Sequence, residues 1–108
     1  MTTNKTTLFI GLNDKDTKRQ EISTIEAYKV ISNICLEYVG GATISENTGY
    51  YTHENGDIVI EKSLEVKIYD ATESAIDSVI KACKVALNQE SILKQSETVN
   101  SCFVWKEE

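Results

Sequence analysis

Apolar residues alternate with polar ones in some stretches of this chain and recur every three or four residues in others. Leu8, Ile10 and Leu12 alternate with Phe9 and Gly11, which predicts a strand over Thr6 to Leu12. Ser23-Thr24-Ile25-Glu26 has the form of a capping box: the Ser23 oxygen can accept from the Glu26 N–H, and the Glu26 side chain can reach back. A helix is expected from there to about Val39, with Tyr28, Ile31, Cys35 and Tyr38 on one face. Gly40-Gly41 ends it, because glycine readily takes the left-handed cap conformation. Ala42 to His53 reads as a second strand. Asn55-Gly56 signals a tight hairpin, since both residue types tolerate positive φ. Ile58 to Tyr69 follows as a third strand, with Leu64, Val66 and Ile68 inward and Glu65, Lys67 and Tyr69 outward. Asp70 or Thr72 caps a second helix running to about Leu87, striped by Ile76, Val79, Ile80, Cys83 and Leu87. The last strand is expected within Ile92 to Trp105, where Cys102 and Val104 alternate with Phe103 and Trp105.

Strand, helix, strand, strand, helix, strand is the split βαβ order. The fold class is therefore α+β: a ferredoxin-like βαββαβ domain spanning residues 1–108, with a four-stranded antiparallel sheet and two helices on one face. The other face then needs an explanation. If Leu8, Ile10, Leu64, Val66, Ile68, Cys102 and Val104 point at the helices, opposite parity exposes Phe9, Tyr69, Phe103 and Trp105. Four aromatics there make a large apolar patch for a monomer. A homo-oligomer burying that face, dimer or higher, accounts for it. A stacking platform for a base is the alternative.

A net charge of -6 argues against RNA, DNA and anionic membranes as partners, while leaving room for a local basic pocket and a single nucleotide-like ligand. Met1-Thr2-Thr3-Asn4-Lys5 lacks the apolar run of a secretory signal, and no apolar stretch is long enough to span a bilayer. Cys35, Cys83 and Cys102 are odd in number and widely spaced, as expected of free thiols in a reducing cytoplasm.

Catalytic chemistry has little support in the pattern. His53 stands beside the hairpin turn and reads as a solvated turn residue, with no cysteine or serine spaced as its nucleophilic partner. Cys35 and Cys83 lie on core stripes. No Cys/His spacing suggests a metal, and no glycine pattern suggests a nucleotide cofactor, so none is expected. The loop between the first strand and the first helix differs. It carries Lys15, Lys18 and Arg19, the chain's one arginine, and it leads into a helix N-terminus, whose free N–H groups suit an anion. Arg19 offers a planar fork for phosphate, and Asn13 and Gln20 can read a sugar or base edge; Asp14 and Asp16 partly cancel the local charge. Taken by pattern alone, the same loop also reads as merely solvated. A second cluster, Asn47-Thr48-Gly49-Tyr50-Tyr51, is either a bulged strand end or an aromatic wall for a base.

Phe9-Ile10-Gly11-Leu12-Asn13-Asp14-Lys15-Asp16-Thr17, followed by Gln20-Glu21-Ile22, resembles the opening of the phage Thoeris anti-defence sponge proteins, the first described type. Length, acidity and element order agree with that family. A weaker likeness joins the chain to small bacterial domains of unknown function with a Gln89-Glu90-Ser91 type of segment. The sponge resemblance implies a protein that is not an enzyme. It binds a cyclic ADP-ribose isomer made by immune proteins with Toll/interleukin-1 receptor domains and holds it away from its effector. Some family members also hold cyclic oligonucleotides, in oligomers as large as a hexamer. Gly11, Asn13, Asp14 and Lys15 carry the motif; Lys18, Arg19, Tyr50 and Tyr51 complete the expected ligand set. A dimeric adaptor without a small ligand and a small monooxygenase-type domain are the competing classes.

Overall fold

The first strand is the centre of the molecule, and its length decides what the rest can do. The computed structural model describes residues 1–107. Its elements are β1 (Thr2–Gly11), α1 (Thr24–Tyr38), β2 (Thr43–Thr52), β3 (Ile58–Tyr69), α2 (Glu73–Ala86) and β4 (Leu93–Asn100). The strands form one antiparallel sheet in the order β2-β3-β1-β4, so the expected βαββαβ ferredoxin-like arrangement is the observed one. β1 begins four residues earlier than alternation predicts. Thr2 to Lys5 carry no apolar signal, but they are held between Asn100–Glu97 of β4 on one side and, at Lys5, Tyr69 of β3 on the other.

One face of the sheet is sealed. Leu8 and Ile10 of β1 lie beside Val66 and Leu64 of β3, and Ile68 continues the row; all are at most 2% exposed. The helices close over them with Ala27, Ile31 and Cys35 from α1 and Ile76, Val79 and Cys83 from α2, and Leu12 and Leu87 complete the core. Tyr38, expected on the α1 stripe, is instead 43% exposed at the last residue of the helix. Ser23 caps α1 by accepting from the Glu26 N–H at 3.1 Å. The reciprocal half of the box does not form, since Glu26 turns to Lys29 at 3.6 Å. Gly40 takes φ +79 beyond the helix, as its lack of a side chain permits. Thr72 caps α2, accepting from the Ala75 N–H at 3.2 Å, while Asp70 occupies a left-handed bend at φ 59.

Two expectations change at the chain's polar ends. The β2–β3 connection is a five-residue loop, His53 to Asp57, in place of a two-residue Asn-Gly turn. Only Gly56 takes positive φ there, while the Asn55 side chain accepts from the Asp57 N–H at 3.0 Å. β4 ends at Asn100, so Cys102 and Val104 are not core residues of a strand; both are exposed, as are Phe103 and Trp105. β4 pairs with β1, and the pairing ends with Thr2 opposite Asn100. One more backbone bond, from the Ser101 N–H to the Met1 carbonyl at 3.2 Å, follows it. The four aromatics do not form one patch: Phe9 stands apart, while Tyr69, Phe103 and Trp105 line one hollow. Phe9 lies opposite Glu65 near one end of the open face, Tyr69 lies opposite Lys5 near the other, and Phe103 and Trp105 pack together in the tail with ring centroids 5.9 Å apart.

All three cysteines are free, with Cys35 and Cys83 buried as their stripes predicted. Burial pushes the Cys35 thiol up to about 11 and the Cys83 thiol up to about 12. Neither is a nucleophile near neutral pH. Among the described residues, no helix is long and apolar enough to cross a membrane, and no group of His, Cys, Asp and Glu is placed to hold a metal ion.

Candidate functional site

The distal half of the β2–β3 hairpin runs past the end of β1, and the loop after β1 folds up beside it. Between them is a cleft of about 330 Å³, on the open face of the sheet. Its floor is Phe9 and Gly11 from β1 and Val59 and Glu61 from β3. Tyr51 and His53 form one wall, Asn13, Asp14, Lys15 and Lys18 the second, and Gln89, Glu90 and Ser91 the third. The volume is at the small end of ligand sites.

Strand parity decides which aromatic enters. Val59 lies opposite Tyr51 and Glu61 opposite Gly49, all on the open face. Tyr50, one residue earlier, lies opposite Ile60 on the other face and is 71% exposed beyond the reach of the helices. The expected Tyr50–Tyr51 pair is thus divided between two surfaces. His53, set aside by sequence reasoning as a turn residue, shares Tyr51's parity, and its ring stands edge-on to Tyr51 at 5.7 Å between centroids. Burial first, and then the nearby Glu61 charge, hold the Tyr51 phenol above its ordinary value.

The loop wall is built by Asp14. Its carboxylate accepts from the Asp16 N–H at 2.8 Å and the Thr17 N–H at 3.1 Å, while its backbone N–H donates to the Arg19 carbonyl at 2.9 Å. Lys18 sits at the tip with φ 63. The Asn88 side chain donates to Asp14 at 3.0 Å and to Asp16 at 2.9 Å, the Lys15 N–H donates to the Asn88 carbonyl at 3.0 Å, and the Gln89 side chain donates to the Asn13 carbonyl at 2.6 Å. The segment after α2 is thereby fastened to the loop after β1. These bonds, the Asn88 one foremost, hold the Asp14 carboxyl below the ordinary carboxylate value.

The structure therefore brings Gly11, Asn13, Asp14, Lys15, Lys18 and Tyr51 to one cleft and leaves two predicted residues outside it. Tyr50 is one. Arg19 is the other: its side chain is 77% exposed and pairs with Glu21 at 3.0 Å. Gln20 also turns away, donating to the Ile22 carbonyl at 2.8 Å and the Thr24 hydroxyl at 3.1 Å, near the start of α1. The N-terminus of α1 does not line the cleft, and among the described residues the cations there are Lys15 and Lys18. Phe9, His53, Val59, Glu61, Gln89, Glu90 and Ser91 are the lining residues outside the expected ligand set. Only parity beyond the end of β1 could have pointed to Glu61 and His53.

Residues 5–103 match the family described as Protein of unknown function (DUF3574), and the chain belongs to that family. No curated protein matches it. Among solved structures, a phage SAM lyase in complex with S-methyl-5'-thioadenosine is similar with a TM-score of 0.66 and 19% identity, over 88% of this chain and 80% of that one. The apo state of a phage SAM lyase gives 0.61 and 18%, over 96% and 92%. The divalent ion tolerance protein CutA1 from Ehrlichia chaffeensis gives 0.54 and 17%, over 92% and 84%. At these identities the likeness establishes the shared fold.

Proposed function

We propose that this chain is a phage anti-defence protein that binds a cyclic ADP-ribose-type immune signal in the cleft and sequesters it uncleaved, blocking Thoeris immunity. The observation that carries the reading is that the four residues of the sponge-like motif, Gly11, Asn13, Asp14 and Lys15, line one cleft with an aromatic wall. Tyr51 and Phe9 offer apolar surface to an adenine, Lys15 and Lys18 offer charge to a diphosphate, and Asn13 and Gln89 offer polar edges to a ribose. Sequestration needs tight, reversible binding and no transition-state machinery. The likeness to a phage SAM lyase solved with S-methyl-5'-thioadenosine supports an adenosine-bearing ligand on this fold.

One observation favours a second reading. Asp14, Glu61 and Glu90 set three carboxylates against Lys15 and Lys18 in the cleft, a formal balance of -1 from the acidic residues and lysines. That balance suits a sulfonium cation, and with it an enzyme acting on S-adenosylmethionine. Calorimetry with cyclic ADP-ribose isomers and with S-adenosylmethionine separates the two, followed by heat denaturation and mass analysis of the released ligand. Intact cyclic ADP-ribose isomer in the supernatant supports the sponge. A cleaved product of either ligand makes the protein an enzyme, and no binding of either leaves the adaptor.

The protein works as a homo-oligomer in this reading. Tyr69, Met1, Phe103 and Trp105 line an apolar hollow of about 640 Å³ at the far end of the open face, a surface that a second subunit would cover. Light scattering should give a mass above the 12.1 kDa of one chain, and Trp105→Ala should lower it.

A further inference from the structure

Two separate features of the chain prepare the position of Glu61 in the cleft. Its carboxylate lies flat across Gly11: a Cβ at that glycine would fall 2.6 Å from Glu61 Oε2 and 2.9 Å from Oε1. Such approaches are closer than real side chains make, so the absence of a Cβ is what admits the carboxylate to this place. The Asn13 N–H then donates to Oε2 at 2.9 Å. This bond continues the β1–β3 ladder one step beyond its last backbone bond, Leu12 N–H to the Lys62 carbonyl at 3.0 Å. The side chain is half-buried, and its partner at Asn13 belongs to a loop that is itself tied down.

Only one of its two oxygens is used. Among the described residues no donor or cation bonds Oε1, and no buried side-chain oxygen lacks a partner, so Oε1 opens into the cleft. Tyr51, its diagonal neighbour across the β2–β3 pair, lines the same cleft, and the Glu61 charge acts on its phenol. A carboxylate held still by one oxygen, with the other presented to a cleft that also holds a stacking surface, is an acceptor for hydroxyl groups. A nucleoside stacked on Tyr51 presents its ribose hydroxyls at the edge of that stack.

We propose that Glu61 is the residue that gives the cleft its specificity for ribose, its carboxylate accepting hydrogen bonds from free ribose hydroxyls of the ligand. The inference rests on the cleft being the ligand site. It also gives the carboxylate a purpose beside a diphosphate, since a hydroxyl donates to a fixed anion more strongly than to a neutral oxygen. Gly11 and the backbone N–H of Asn13 then act through Glu61 as positioning groups.

The test titrates wild type and Glu61→Gln with cyclic ADP-ribose and with its 2'-deoxy analogue, by calorimetry. Gln keeps an oxygen for the Asn13 N–H and loses the charge. Wild type should prefer the hydroxylated ligand by about tenfold, and Glu61→Gln should lose most of that preference by weakening the hydroxylated ligand alone. Gly11→Ala, which drives the carboxylate off its seat, should reproduce the loss. An equal loss on both ligands, or an unchanged preference in Glu61→Gln, overturns the inference while the sponge reading stands. If wild type binds neither ligand, the cleft reading itself falls and the inference with it.

Discussion

One sheet presents two faces built on opposite terms. On the helix side, Leu8, Ile10, Leu64, Val66 and Ile68 are closed off from water in one apolar cluster with residues of both helices. On the open side, Lys5, Phe9, Gly11, Glu65 and Lys67 alternate with them along the same strands under no second layer. The sealed face gains its stability from burial, and any apolar residue of the right volume serves there. The open face contributes little to that term, so its residues are free to be chosen for contact with something else. That freedom is used at one end of the sheet, where Gly11, Glu61 and Tyr51 are placed by hydrogen bonds, close approach and strand parity.

Core truncation is the largest effect this contrast predicts. Leu64 is fully buried, and Leu64→Ala removes methyl groups from a site surrounded by both helices. The expected loss is about 2–5 kcal/mol of unfolding free energy. Lys67, three residues on and opposite in parity, makes only a surface ion pair with Glu65 at 3.5 Å. Lys67→Ala should change stability by less than about 0.5 kcal/mol. Urea denaturation of the two variants measures the difference directly, and comparable losses would mean that the open face is covered in solution.

The same contrast explains what could be read from the chain. Alternation at Leu8, Ile10, Leu64, Val66 and Ile68 and helical spacing at Ile76, Val79, Cys83 and Leu87 report burial, and burial dominates those positions. Caps and stops at Ser23, Thr72 and Gly40 are local chemistry and were equally legible. Residues 102–105 have the alternation of a strand but lie past the β1–β4 pairing, which ends at Thr2 opposite Asn100, and register is not written in alternation. The cleft was legible where a contiguous motif carried it, Gly11 to Lys18. It was not legible at Glu61, His53 and Gln89, which reach the loop from distant parts of the chain through parity and through the segment after α2. Tyr50 and Tyr51 look alike in sequence, and only the register of β2 on β3 sends one to the cleft and the other away.

The intermediate effect concerns charge within the open face. Lys15 and Lys18 line the cleft, whereas Arg19 is engaged with Glu21 outside it. Removing either lysine should weaken a diphosphate ligand by roughly tenfold to a hundredfold, the worth of one charge-assisted contact. Lys18→Gly is the cleaner choice at the tip, because glycine accepts the φ of 63 found there. Arg19→Ala should change affinity by no more than about twofold. Calorimetry with a cyclic ADP-ribose isomer ranks the three; a dominant Arg19 would require the loop to swing its fork into the cleft on binding.

The smallest effect separates the loop from the core by acidity. Asp14 is bonded by Asn88, Thr17 and Asp16 in its ionised form, and these bonds hold its carboxyl below the ordinary value of 3.8. A group whose folded value is depressed contributes stability that is fully present above the unfolded value and is lost as pH falls through the folded one. The loop should therefore stay closed at neutral pH and begin to open only below about 3.8. Amide exchange at Asp16 and Thr17, corrected for intrinsic rates, reads this opening, because both N–H groups donate to the Asp14 carboxylate. The Ile31 amide, inside α1 on the sealed side, should keep its protection over the same range. Asn88→Ala removes the largest cause of the depression and should move the opening toward higher pH, leaving Ile31 unchanged. If Asp16 and Ile31 lose protection together, the loop is not a separate unit, and the cleft wall is only as rigid as the whole domain.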